Sequence, residues 1–391
     1  MLIDMIILIY LGLSAFYFLF FAVLSLFYKE KQVPIPENKI HVCVLIPSYK
    51  EDSVIIETAI SAVAHKSARA KISVMVIADS LQDQTIEKMR QTKAFVLPVS
   101  FEKSTKSKSV RAAIDSLDYS PDYIIILDAD NIMNEGFVDN LLKRINAGYK
   151  IVQGHRVAKN SNTRFAILDG VSEEVNNSIF RKGHSVSGLS ASIIGSGFIC
   201  EFNLFRELIQ NAKSVGGFDK ELELMLIERK VKIGYAQHAT VFDEKIQQAE
   251  AFVNQRRRWL AAQFVYFGKN FFNGFYHLFV KGNIDYVDKL IQFLVLPRIL
   301  TLGLTGFLAA IHVILNFFIE NSGFYLLMIF WCLAFVVTAI AIWLAIPLYQ
   351  YNKNTLNALW SLPSGFFLTL IALFRVKGAN KKFIHTKHGI N

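Results

Sequence analysis

Residues able to do chemistry gather in three short stretches. In "ILDADN", Asp128 and Asp130 sit two apart at the end of the apolar run "YIIIL", and extended backbone there would aim both carboxylates to one side. Paired hard oxygens suit Mg²⁺ or Mn²⁺ bridging phosphates. Alone the pattern is weak, because D-x-D is frequent by chance and Asp and Asn also simply end strands. In "NQRRRWLAAQF", helical spacing puts Gln255, Arg258, Trp259 and Ala262 on one face, with Arg256 and Arg257 pointing elsewhere. A guanidinium beside an indole fits a pyrophosphate next to a sugar ring. A basic helix lying on a membrane would account for Arg256 and Arg257, and less well for the face with Gln255. In "GGFDKELELML", Asp219 reads as the N-cap of a helix running to about Glu228, with Glu221 in its first turn and Glu223 on roughly the opposite side. That is either the acidic start of an ordinary helix or a place where one carboxylate takes a proton from a substrate.

The elements that must position these residues alternate. Continuous apolar runs at 41–46, 72–78, 95–99 and 123–127 read as buried parallel strands, and a further strand starts at 151–153. Helical spacing covers 54–64, 108–117 and 136–147. Such alternation predicts an α/β fold, a mostly parallel Rossmann-like sheet with helices on both faces, and ligands beyond the carboxyl ends of its strands. Ser48 and Glu51, Asp79, and Asp128 with Asp130 all fall at such ends, so three strands deliver polar groups to one edge. His155, His184 and His238 lie near these stretches but read as hydrogen-bonded structural groups.

With 53% hydrophobic residues and a mean hydropathy of +0.34, the chain is too apolar for a purely aqueous protein. The excess sits at its ends. Residues 1–30 predict one membrane helix, followed by Lys29 and Lys31; 299–376 predict two or three more spans, the last weakened by Pro363. The positive-inside rule then places the middle domain in the cytoplasm of a multi-pass cell-membrane protein. A third C-terminal crossing would carry Arg375, Lys377, Lys381, Lys382 and Lys387 outside, against that rule, so the Pro363 segment is expected not to cross fully. Residues 271–298 read as an amphipathic interface region and 377–391 as a basic tail. The net charge of +10 is assigned to a face against anionic lipid, not to nucleic acid. The three scattered cysteines have no ligand spacing and read as small buried hydrophobes.

Taken together and in order, the motifs resemble the membrane-embedded family-two glycosyltransferases of GT-A fold, the group of cellulose, chitin and hyaluronan synthases, with ceramide glucosyltransferases as more distant relatives. The resemblance runs from "VLIPSYKED" through "VIADSLQDQT", "SKSVRAAI", "LDADN", "VQGHRVAKN", "GLSASIIGSGFICEFNLF", "VFDEK" and "QRRRW" to the tail "IHTKHG". It implies a GT-A domain over 38–270 and an inverting transfer from a nucleotide diphosphate sugar, a UDP-sugar for choice. It implies Pro47, Ser48, Glu51, Asp79, Lys108, Asp128 and Arg258 at the nucleotide sugar, Asp130 with Asp128 at a Mg²⁺ or Mn²⁺ ion, and Trp259, Gln255 and Phe198 at the acceptor. The family's usual Thr-Glu-Asp, whose Asp is the general base, is here Asp219-Lys220-Glu221, which puts Glu221 in the place of the base. Expected acceptors are a growing polysaccharide first and a membrane lipid second, with a non-catalytic scaffold last. A homo-oligomer or an export partner would suit a polymer product.

Overall fold

In the computed structural model, residues 2–319 and 321–378 are described, and the middle of the chain forms one eight-stranded sheet. Its strands are β1 (Ile40–Tyr49), β2 (Ala70–Asp79), β3 (Phe95–Val99), β4 (Tyr123–Ile126), β5 (Ile132–Met133), β6 (Ile151–Ala158), β7 (Phe198–Glu201) and β8 (Ile233–Asp243), in spatial order β3-β2-β1-β4-β7-β6-β8-β5. The first four pair in parallel; β1, β2 and β4 are buried apolar runs, while β3 is a partly exposed edge strand. β7 enters antiparallel between β4 and β6, β6 and β8 are parallel, and β5 closes the edge antiparallel to β8. This is the mostly parallel, Rossmann-like GT-A arrangement.

Residue parity sorts the core into two layers. Leu45, Ile124, Ile126 and Cys200 face one set of helices, while Val44, Ile46, Ile125 and Ile199 face the other. Phe198 shares the parity of Cys200. It is therefore fully buried in the first layer, its ring 6.3 Å from that of Phe205, and not at an acceptor position. Pro47 does not end β1. β4 pairs with β1 only as far as Leu45, so beyond that point β1 has one neighbour and accommodates a residue without an N–H, running on beside β2 to Tyr49.

Four helical stretches are long and apolar enough to cross a bilayer: Leu2–Ser25, Arg298–Asn316, Ser322–Ala345 and Lys353–Phe374. The N-terminal helix packs Phe18 and Phe21 with Val175, Ile179, Ala341 and Ala345. It also lies tight against Gly183 of the sheet domain, which ends the π-helical turn Asn177–Gly183: a Cβ there would lie 2.2 Å from the Phe21 carbonyl oxygen. The last stretch is broken. A short helix, Lys353–Ala358, and a tight turn, Leu359–Ser361, precede Leu362–Phe374, with Pro363 in the first turn, where it costs no hydrogen bond. Thirteen residues of helix reach about 20 Å, short of a hydrocarbon core of about 30 Å. Near its start, Gly365 and Phe366 lie against Ile299 and Gly303; near its end, Ala372 packs with Val253 and Leu260 of the catalytic domain.

The boundary expected at 270/271 falls inside a continuous helix, Ala249–Phe279, that carries the QRRRW stretch; its outer half exposes Phe271, Phe272, Phe275 and Phe279. Of the basic tail, only Lys377 and Gly378 are described; "IHTKHG" lies outside the described residues.

Candidate active site

A cleft of about 570 Å³ opens where β1, β2 and β4 end. Pro47, Ser48, Glu51, Asp79, Asp128 and Asp130 line it, so the strand ends deliver their polar groups to one place. Asp79 is buried and accepts hydrogen bonds from the hydroxyls of Ser80 and Ser104, both at 3.0 Å, and of Ser109 at 3.4 Å, which fix its orientation. Ser48 is buried as well, and its Oγ has no hydrogen-bond partner among the described residues.

Asp128 and Asp130 reach the cleft by a different route from the one their spacing predicts. β4 ends at Ile126 and the aspartates lie in a turn. Asn131 closes it: its Oδ1 accepts from the Asp128 N–H at 3.1 Å, and its Nδ2 donates to Asp243 Oδ1 at 3.0 Å. Asp130 Oδ2 accepts the Glu244 N–H at 2.9 Å. Asp128 and Asp130, with no third His, Cys, Asp or Glu grouped with them among the described residues, could hold a divalent ion only with further ligands from outside the protein.

The lysine beside them is Lys106, not Lys108. Thr105 caps the helix Lys106–Ser116, its hydroxyl accepting from the Lys108 N–H, so Lys106 opens the helix over the cleft. Its ammonium bonds Asp128 Oδ1 and the Gly195 carbonyl oxygen, the latter at 2.7 Å. Two residues on, about 200° around the helix, Lys108 turns out of the cleft and donates to the Lys103 carbonyl oxygen at 2.8 Å. If the cleft takes a phosphate-bearing substrate, Lys106→Ala should lower kcat/KM by about tenfold or more through the lost cation. Lys108→Ala should leave it nearly unchanged, and steady-state kinetics of the two variants checks the assignment.

The acidic helix, Phe218–Glu228, is capped by Gly217 and not by Asp219. Gly217 has φ +76°, and a Cβ there would lie 2.9 Å from Ala262 Cβ, so only glycine lets this turn sit against the QRRRW helix. Asp219 then faces the cleft beside Gly195, with Lys220 Nζ at 3.3 Å. Glu221 does not reach the cleft. Its carboxylate accepts the N–H groups of Lys213, at 3.0 and 3.1 Å, and Ser214, at 2.9 Å, and so pins the preceding loop. Glu223 is buried and pairs with Lys289 Nζ at 3.0 Å and the Ile193 N–H at 2.7 Å.

From the QRRRW helix, Gln255, Arg258, Trp259 and Ala262 all line the cleft, as their spacing predicts. Burial pulls the Arg258 guanidinium below its usual value, while the charges of Asp128, Asp219 and Glu51 pull it back, which places this cation among those three acids. Gln255 Oε1 is buried without a hydrogen-bond partner among the described residues. Arg256 also turns inward, against expectation: it pairs with Asp169 and lies over the rings of Phe252 and Trp259 at 4.7 and 4.5 Å.

Beneath the cleft runs a buried ionic layer that the sequence reading did not single out. Arg156 pairs with Glu173 at 2.9 Å and Asp243 at 3.5 Å, Arg181 with Glu173 at 3.2 Å, and Lys245 with Asp243 at 2.8 Å. Burial alone would raise the Glu173 and Asp243 carboxyls, but these cations outweigh it and hold both below the ordinary range. A carboxyl depressed in the folded state stabilises the fold fully above its unfolded value of about 4, and that stability fades as pH falls through the folded value. The melting temperature in detergent should therefore hold from pH 7 to about 5 and drop steeply below about 4. A flat profile down to pH 3 would contradict the layer's role.

A mostly parallel sheet, acids at its strand ends and a helix closing over them define a GT-A-type transferase domain. The family model described as glycosyltransferase like family 2 matches residues 39–262, over half of the chain, and the protein belongs to this family. No curated protein matches the sequence. Among solved structures, the mannosyltransferase PcManGT from Pyrobaculum calidifontis, in complex with GDP-Man and Mn²⁺, is similar at 12% identity, over 87% of this chain and 98% of that one, with a TM-score of 0.51. Glucosyl-3-phosphoglycerate synthase from Mycobacterium tuberculosis, in complex with Mn²⁺, UDP and glucosyl-3-phosphoglycerate, aligns at 15% identity over 58% of this chain and 80% of that one, with a TM-score of 0.41.

Proposed function

We propose that the protein transfers a sugar, with inversion, from a nucleotide diphosphate sugar to the hydroxyl of a lipid acceptor at the cytoplasmic face of the cell membrane. The observation that carries this reading is the continuity of one cleft. It runs from the acids at the strand ends, past Asp219 and Trp259, to apolar walls given by Phe18, Ile299, Leu302, Ile342 and Leu362 of the membrane helices. A sugar polymer threaded along aliphatic walls would leave its hydroxyls without partners, at about 1–3 kcal/mol each; a hydrocarbon chain loses nothing there. Of the two expected acceptors, the walls favour the lipid.

In the reaction, the acceptor oxygen bonds to the anomeric carbon as the bond from that carbon to the diphosphate oxygen breaks. The electron pair leaves with the nucleoside diphosphate, and the hydroxyl proton passes to the Asp219 carboxylate. Arg258 and Lys106 meet the charge that builds on the diphosphate. Asp128 and Asp130 would hold a Mg²⁺ or Mn²⁺ ion, whose contribution when bound is further neutralisation of that charge. Asp79 and Ser48 receive the nucleoside, and Trp259 offers a ring for a sugar to stack on.

The test is a panel of nucleotide sugars offered to the full chain in lipid nanodiscs with Mn²⁺ or Mg²⁺, followed by sizing and organic extraction of the product. A single-sugar glycolipid is the expected result. A high-mass polymer would overturn the acceptor, and nucleotide binding without turnover would overturn the enzyme. The broken last helix gives this reading a topology: three crossings, with Leu362–Phe374 lying at the cytoplasmic interface and its basic end inside. A cysteine placed at Lys377 should react with an impermeant maleimide only from the side of the catalytic domain; reaction from the opposite side would rule this out.

A further inference from the structure

The cleft wall includes a group of charged side chains of which one cation has no ion pair among the described residues. Its cations are Arg156, Arg181, Lys245, Arg256 and Arg298, and all five line the cleft. Four of them are ion-paired, Arg156 and Arg181 with Glu173, Arg156 and Lys245 with Asp243, and Arg256 with Asp169. The fifth is Arg298. Its guanidinium donates only to neutral oxygens, Asn176 Oδ1 at 2.7 Å and the carbonyl and hydroxyl oxygens of Ser172 at 3.1 and 3.2 Å, and it lies over the Phe180 ring at 5.6 Å. It makes no ion pair among the described residues.

A cation taken from water into a largely apolar surrounding is costly unless an anion meets it. Arg298 also opens the membrane helix Arg298–Asn316 on the side of the catalytic domain, so it stands at the depth where lipid phosphates lie, and the N-terminus of that helix adds partial positive charge. Hydrocarbon walls begin beside it, with Ile299 and Leu302 on the same helix. In the other direction Gln255 Oε1, buried and unpartnered, offers an acceptor to a hydroxyl. The one cleft thus holds apolar walls, a cation without an ion pair, a hydrogen-bond acceptor without a partner among the described residues and the carboxylate of Asp219.

We infer that the lipid acceptor carries a phosphate between its hydrocarbon and a hydroxylated head. The hydrocarbon lies in the arm, the phosphate on Arg298 with Arg256 near it, and a head-group hydroxyl at Gln255 and Asp219. This rests on the lipid-transferase reading and specifies the chemistry of its acceptor. The phosphate gives Arg298 the anion it does not find among the described residues, and fixing the phosphate holds the head at one distance from the base.

The experiment uses the full chain, the donor identified in the panel, and four acceptors: vesicles of phosphatidylglycerol, of diacylglycerol in phosphatidylcholine, and of phosphatidylcholine alone, and free glycerol 3-phosphate. Radiolabel should enter the organic phase from phosphatidylglycerol vesicles only. Equal labelling of diacylglycerol would overturn the phosphate, and labelling of glycerol 3-phosphate at the same rate would overturn the lipid as its source. Arg298→Gln should raise the KM for phosphatidylglycerol by about tenfold or more with little change in kcat, the mark of lost ground-state binding. An unchanged KM overturns the assignment. Donor cleavage to water, measured without any acceptor, separates the two readings. If the wild type cleaves its donor yet labels no phospholipid, this inference alone falls; if it neither binds nor cleaves any nucleotide sugar, the transferase reading falls first.

Discussion

Asp219→Asn lowers kcat by about 10²–10⁴-fold, the usual contribution of a positioned general base, and leaves the donor KM nearly unchanged. Asparagine keeps the shape of the side chain and the acidic helix keeps its Gly217 cap, so geometry survives while proton acceptance is lost. The informative comparison is Glu221→Gln. Glu221 accepts three backbone N–H contacts from Lys213 and Ser214 and lies outside the cleft, so its loss should loosen the loop before the helix and lower the melting temperature, with most of kcat retained. A reversal, with Glu221→Gln dead and Asp219→Asn active, would return the base to the position that family resemblance gives it. Lys220, 3.3 Å from the Asp219 carboxylate, makes a second check. Burial would lower its ammonium, but Asp219 and Glu223 outweigh burial and raise it, so it stays charged across the working range and does not compete for the acceptor proton near neutral pH.

The parallel strands β1 to β4 and the start of β6 are legible in the sequence because they carry apolar runs, three of them ending in polar residues; β5, β7 and β8, which complete the sheet, are not. The QRRRW face was legible because a long helix fixes the phase of its own side chains. Two of the differences share one physical cause. Asp219 against Glu221 and Lys106 against Lys108 are both choices between residues two apart in the first turn of a helix, where the cap decides which side each faces. Neither cap follows from the family motif: Thr105 sets one, and Gly217, held against Ala262, sets the other. Phe198 slipped by parity, since one residue's shift on a strand exchanges cleft for core. Asp128 and Asp130 came to the expected place by an unexpected turn, closed by Asn131 and reaching across to Asp243, a contact 112 residues distant in sequence. The ionic layer and the unpaired Arg298 consist of such long-range pairs, which no local pattern announces.

Arg258→Ala should lower kcat/KM by about 10²–10³-fold, with most of the loss in kcat, because the diphosphate gains charge as the sugar leaves and Arg258 is the cation placed to receive it. The residue is held among Asp128, Asp219 and Glu51, whose charges counter part of the pull of burial. Removing it withdraws a cation from beside those carboxylates. Arg258→Lys separates charge from geometry. An ammonium restores the sign of the charge and relieves the carboxylates, but it is a point donor without the planar fork that takes two phosphate oxygens at once. The lysine variant should therefore recover its melting temperature and part, not all, of kcat. Inhibition by the nucleoside diphosphate product gives an independent measure: its Ki should rise strongly in Arg258→Ala and less in Arg258→Lys. An alanine variant with unchanged kcat and unchanged product Ki would show that Arg258 serves the fold of the cleft and not the departing diphosphate, and Lys106, bonded to Asp128, would then be the next cation to test in that role.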